Sequence, residues 1–313
     1  MNFKKNKLLL FIIIVIVLLE LVSVVYTIYF YNNLKKDGNY KLYKDIVYDN
    51  NKSIIDKQYV SLDIYTPKVE TSKKLPVMIF VHGGAWSRMF GGKDNRDRYI
   101  VRGRYYTDKN FILVNVNYRS DPSVQYPVPV YDVAKSISWV YNNISKYGGD
   151  NNKLFIQGHS AGAQIVSLII TDREFLNKYN LDLNNIKGAI LLEGIGYNLL
   201  LAKNMGLDNK VLSLYYKLPF GDYNELEKAS SINYITSGKH IPPTILFSVD
   251  DSLFRIGKTE AKDFYNKLLE NGYYAEYYNI PDRGHMSLNS NFGEKDDLAT
   301  NLASKFISGL LNK

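Results

Sequence analysis

The stretch LFIQGHSAGAQIVSLII, residues 154–170, decides how this chain folds. Leu154–Gln157 is a short apolar run of strand type, and Ala161–Thr171 is patterned as a buried helix. Between them stands Gly158-His159-Ser160-Ala161-Gly162, a Gly-x-Ser-x-Gly pattern in a strand–turn–helix context. Glycine on either side of the serine lets strand and helix approach closely around a strained turn. Such a turn lifts the Ser160 hydroxyl clear of the sheet, at the positive end of the following helix. Ser160 is therefore a candidate nucleophile.

Outward from this turn, strand candidates are Ile46–Tyr48, Tyr59–Tyr65, Val77–Val81, Phe111–Asn117, Gly188–Leu192, Thr244–Val249 and Ala275–Ile280. The runs VMIFV, FILVNV, AILL and TILFSV are apolar on both faces, as in parallel strands covered by helices on each side. Helical candidates are Val130–Tyr147, Ala161–Thr171, Lys258–Asn271 and Leu298–Leu311. This alternation predicts one α/β domain over 46–313: a mostly parallel, doubly wound sheet of about eight strands with two antiparallel strands at its front. Residues 193–240 are the least regular stretch and are a candidate lid.

Acyl-transfer chemistry at a serine needs a base, an acid that orients it, and N–H donors for the developing oxyanion. His82-Gly83-Gly84-Ala85-Trp86 follows the strand VMIFV, and its glycines let main-chain N–H groups turn inward. Gly83, Gly84, Ala85 and Ala161 are the candidate donors. Of the four histidines, His82 belongs to this loop, His159 to the turn, and His240 to a polar loop before Ile241-Pro242-Pro243. His285 follows the last strand and is the candidate base. The acid is expected after TILFSV, where Asp250 and Asp251 compete; Asp251 is preferred and Asp250 is the alternative. No metal and no cofactor is required.

The net charge of +8 is spread without a basic block and gives no nucleic-acid footprint. With no cysteine, disulfides, thiolate metal sites and a cysteine nucleophile are excluded. Leu8–Tyr31 is almost uninterruptedly apolar and, at 24 residues, long enough to span a bilayer as a helix. Glu20 is its one charge, and Tyr26, Tyr29 and Tyr31 cluster at one end. Residues 1–33 are expected to be a signal anchor and 34–45 a tether. A cleaved signal peptide is the alternative, although no small-x-small site follows. Lys4, Lys5 and Lys7 precede the span and Lys35, Lys36, Lys41 and Lys44 follow it; because short basic N-termini usually stay inside, the folded domain is expected outside the cytoplasm, with membrane lipid as a partner.

Taken together these residues resemble the α/β-hydrolase superfamily, within it the hormone-sensitive-lipase-like and kynurenine-formamidase-like carboxylesterases. The resemblance rests on His82–Trp86, Asn117-Tyr118-Arg119, Tyr126-Pro127 with Asp132, Tyr147–Asp150, Gly158–Gly162, Asp251 and His285. It also includes Ala229-Ser230-Ser231-Ile232 and Ile241-Pro242-Pro243, and covers roughly residues 55–310. Ser231 stands where the family has proline, His159 where many relatives have aspartate, and Ala85-Trp86 where many have a third glycine. The resemblance implies an α/β-hydrolase fold and a serine esterase acting on a small-molecule ester through an acyl-enzyme. Amide or formamide hydrolysis is the second enzymatic reading, and a membrane-displayed binding module with a degenerate site is the third.

Overall fold

The computed structural model describes residues 38–68, 72–87, 100–120, 124–201, 219–221, 223–250 and 255–312. The chain divides into residues 1–38 and 39–313, and the fold described is that of the second unit. The expected membrane segment lies outside the described residues, among which no helix is long and apolar enough to cross a membrane.

The second unit is built on one eight-stranded sheet in the order β1-β2-β4-β3-β5-β6-β7-β8. The strands are β1 (Tyr40–Val47), β2 (Ser61–Pro67), β3 (Leu75–Val81), β4 (Ile112–Val116), β5 (Gly149–His159), β6 (Ile186–Leu192), β7 (Thr244–Ser248) and β8 (Ala275–Asn279). β1 pairs with β2, and β2 with β4, antiparallel. All other neighbours are parallel. The mostly parallel sheet with two antiparallel strands at its front is the one expected. β1 starts at Tyr40, six residues before the expected Ile46 and within the stretch read as tether. Its alternation is weak because it is an edge strand, half exposed along its length.

Side chains alternate across the pleat. On β3, Val77, Ile79 and Val81 enter one apolar cluster, while Met78 and Phe80 enter the other. The first cluster takes in α2 (Val128–Asn143), α3 (Ala161–Thr171) and α6 (Arg255–Glu270) through Val133, Ile165 and Phe264. The second takes in α1 (Ile100–Asp108) and α8 (Leu298–Leu311) through Tyr106, Ala303 and Phe306. Fully burying a Val, Ile or Phe side chain contributes about 1.5–3 kcal/mol, so both faces are covered and the inner strands are mostly apolar on both faces. Three shorter helices are α4 (Arg173–Asn177), α5 (Tyr223–Lys228) and α7 (His285–Ser290).

The strand order reverses between β3 and β5, which lie side by side with Val81 opposite Gly158. Loops leaving neighbouring parallel strands in opposite directions open a crevice at their carboxyl ends, the usual ligand position in such sheets. Both Gly83-Gly84 and Ser160 emerge there.

Candidate active site

Ser160 stands between β5 and α3 at φ 55° and ψ −124°. A non-glycine residue there costs on the order of 1–3 kcal/mol, and the surroundings must hold it. They do so through contacts too close for any side chain. A Cβ on Gly158 would collide with the Gly162 carbonyl, and one on Gly162 with the carbonyls of Val81 and His82. The Ser160 N–H is tied to the Leu192 carbonyl on β6 at 3.0 Å. Gly162→Ala should therefore destabilise the fold by about 2–3 kcal/mol, read as a lower urea midpoint.

His285 opens α7, and its Nε2 lies 3.0 Å from Ser160 Oγ. Both residues are buried, with 8% of Ser160 and 7% of His285 exposed. Two groups hold the histidine. His159 Nε2 lies 3.1 Å from the His285 carbonyl. Since a carbonyl only accepts, that nitrogen carries the hydrogen, and burial pushes the His159 pKa well down, keeping the ring neutral. At the other end of α7, buried Arg102 lies over the Phe80 ring at 4.0 Å. It donates to the Asn289 carbonyl at 3.2 Å and to Asn289 Oδ1 at 3.1 Å.

The loop after β3 runs beside Ser160. A Cβ on Gly83 would sit 2.9 Å from the Ser160 Cβ. Gly84, Ala85 and Trp86 all have positive φ, at 135°, 52° and 54°. Trp86 pins this tight loop by donating from Nε1 to Gln164 Oε1 at 2.9 Å, while Gln164 Nε2 donates to the Ala229 carbonyl at 2.8 Å. Ser231, standing in the family's proline position, accepts from Ser167 Oγ at 2.7 Å; a proline could not.

Of the two aspartates after β7, Asp250 is salt-bridged to Lys258 and accepts from Asn279 Nδ2 at 2.8 Å. Its side chain is 65% exposed, and Lys258 and Asn279 draw its pKa down. Asp251 lies outside the described residues, as does 202–218 within the expected lid. His240 is exposed and precedes the amino end of β7, whereas Ser160 follows the carboxyl end of the parallel strand β5. His285 is thus the histidine brought to Ser160 Oγ.

The pattern of the BD-FAE family matches residues 62–268, about two thirds of the chain and the whole span from β2 into α6. The chain belongs to the BD-FAE family. The chain is 27% identical over 238 residues to a probable isoprenylcysteine alpha-carbonyl methylesterase of Oryza sativa subsp. japonica, covering 72% of this chain and 54% of that protein. It is 37% identical over 108 residues to the esterase LipQ of Mycobacterium tuberculosis, covering 34% of this chain and 25% of that one. The chain thus spans about half or less of these curated relatives' own length. Among solved structures it is similar to esterase B from Lactobacillus rhamnosis, with a TM-score of 0.71, 19% identity and coverage of 93% and 95% of the two chains. A truncated carbohydrate esterase from gut microbiota gives a TM-score of 0.72 at 17% identity, covering 88% and 99%. These likenesses show the α/β-hydrolase fold.

Three residues that sequence reasoning passed over shape the site of the BD-FAE domain. Gln164 stands one helical turn after Ser160, a spacing that puts both on one face of α3. Arg102 lies on α1, whose polar sequence carries no clear apolar period. Glu193, buried and at φ 41°, follows β6 and accepts from the Val249 N–H at 2.8 Å. Its own N–H donates to the Phe247 carbonyl at 2.8 Å. The exit of β6 therefore grips both the Ser160 turn and the strand leading to Asp250-Asp251.

A second buried acid, Glu260 on α6, accepts from the Gly196 N–H at 2.6 Å. Burial pushes its pKa from 4.5 up to about 8, against the lowering effect of main-chain N–H groups of Gly196, Asn198 and Tyr197. Between those values the unfolded carboxyl has lost its proton while the folded one keeps it. Stability therefore falls as pH rises from about 4.5 to about 8, by up to about 1.4 kcal/mol per pH unit, and levels off above. Glu260→Gln keeps the acceptor and removes this dependence, so urea midpoints measured from pH 5 to 9 should be flatter than wild type.

Proposed function

We propose that the BD-FAE domain hydrolyses carboxylic esters of small molecules by two-step acyl transfer through Ser160. The observation that carries this is the 3.0 Å contact of His285 Nε2 with Ser160 Oγ at a strained strand–helix turn. His285 takes the Ser160 proton as Oγ attacks the ester carbonyl. The amides of Gly83, Gly84, Ala85 and Ala161 receive the oxyanion, the alcohol leaves with the proton from His285, and water activated by the same histidine releases the acid. With Asp250 engaged by Lys258 and Asn279, Asp251 is the carboxylate left to orient His285. The esterase names of the relatives, and the inhibition of esterase B from Lactobacillus rhamnosis by a tributyrin phosphonate, agree with this chemistry.

A fluorophosphonate probe tests it. The wild-type protein should be labelled stoichiometrically at Ser160, with loss of p-nitrophenyl acetate hydrolysis in step; a folded, active protein labelled elsewhere would overturn the assignment. An N-formyl amide assayed beside the ester separates ester from formamide hydrolysis. The reading of 8–31 as an anchor adds membrane lipid as a partner and an extracytoplasmic site. Its support is the apolar run with lysines before it, and carbonate extraction of membranes tests it.

A further inference from the structure

His82 is 1% exposed, and its ring stacks on Tyr118 with centroids 4.5 Å apart and planes 17° from parallel. Nδ1 lies 2.7 Å from the Gly83 carbonyl oxygen, and Nε2 lies 3.0 Å from Asn117 Oδ1. The other arm of that amide, Asn117 Nδ2, donates to the Gln58 carbonyl at 2.8 Å. A main-chain carbonyl only accepts. Nδ1 must therefore carry a hydrogen toward Gly83, and Asn117 must turn its NH2 toward Gln58. That leaves Oδ1, also only an acceptor, facing Nε2, so Nε2 carries a hydrogen as well. An imidazole with hydrogens on both nitrogens is a cation.

We propose that His82 is an imidazolium at neutral pH and a positioning residue, whose charge and two bonds back the oxyanion amides. The proposal rests on Ser160 being the nucleophile. Burial opposes a charge, whereas two acceptors of the charged form and the Tyr118 face favour it. The loop it holds is the one whose Gly83 approaches Ser160, and the charged ring is bonded to that same Gly83 through its carbonyl, in buried surroundings that screen little.

Among the described residues, the titratable groups on the elements packed around it are engaged as follows. His159 is neutral. Arg119 is bonded to Asp132 at 2.7 Å, and Lys135 to Asp49 at 2.7 Å. Burial pushes the Tyr48 hydroxyl well up, and it donates to the Asn117 carbonyl at 2.8 Å. Loss of the Nε2 hydrogen would remove the charge and set a lone pair against Asn117 Oδ1, so kcat should fall as pH rises through the His82 pKa.

The test joins NMR of 15N-histidine-labelled protein with pH profiles of p-nitrophenyl acetate hydrolysis. At pH 7 the wild type should show two ring N–H signals that vanish together in His82→Gln. Asn117→Asp should move the alkaline limb of kcat up by about one unit. Asn117→Leu should move it down and lower kcat at pH 8 about tenfold with KM within about twofold, in a protein that still melts cooperatively but at a lowered midpoint, because the Gln58 carbonyl loses its donor. A single His82 ring N–H in the wild type, or a limb unmoved in both folded variants, overturns the proposal. The wild-type signal count decides even if neither variant folds. Wild-type turnover that survives Ser160→Ala would instead overturn the reading of the nucleophile.

Discussion

Replacing Ser160 by alanine is expected to lower kcat for p-nitrophenyl acetate by about 10⁴- to 10⁶-fold while leaving the fold intact. The size follows from what the hydroxyl does. It is the atom that bonds to the acyl carbon, and no other hydroxyl is placed on His285 Nε2 at 3.0 Å among the described residues. What survives should be the modest acceleration that oriented amides and His285 give to attack by water. Stability should not fall with activity. Ser160 sits at φ 55° and ψ −124° whatever its side chain, and the turn is imposed by Gly158, Gly162 and the Leu192 carbonyl. A Ser160→Ala protein that keeps its thermal midpoint and loses activity separates chemistry from folding. One that keeps wild-type turnover would move the nucleophile elsewhere.

The turn was legible because local chemistry over-determines it: an apolar strand, two glycines that no other residue could replace, and a helix buried all round. The same holds for the sheet, whose short runs apolar on both faces become inner strands covered by helices on each side. What stayed hidden depends on contacts between segments far apart in the chain. Arg102 meets Asn289 across 187 residues, and no local period on α1 marks it. Glu193 reads as an ordinary charge after a strand until its carboxylate is found on the Val249 N–H. His285, which follows the last strand, opens a short helix because Ser287 Oγ accepts from the Gly284 N–H at 2.9 Å and closes the first turn, a cap that no local apolar period marks. The protons on His82 are countable only once the other partner of the Asn117 amide is known, and that is the Gln58 carbonyl, on a 3-10 turn 59 residues away.

The second large effect is expected at one of two adjacent aspartates. Asp251→Asn should lower kcat about 10⁴-fold with a smaller change in KM, because an amide at that place no longer holds His285 in the tautomer that accepts the Ser160 proton. Asp250→Asn should change kcat by no more than about threefold. Its carboxylate faces solvent, Lys258 and Asn279 at the β7–β8 edge, and an exposed ion pair of this kind contributes little. The pair is decisive because the two residues are adjacent in sequence after β7, so any general weakening of the segment should appear in both. Glu193→Gln supplies the remaining control: it keeps an oxygen for the Val249 N–H and removes the buried carboxyl group beside this exit. Near-wild-type turnover in Glu193→Gln, with collapse in Asp251→Asn, assigns the acid to the loop after β7. Collapse in Glu193→Gln with turnover retained in Asp251→Asn would transfer that role to the exit of β6.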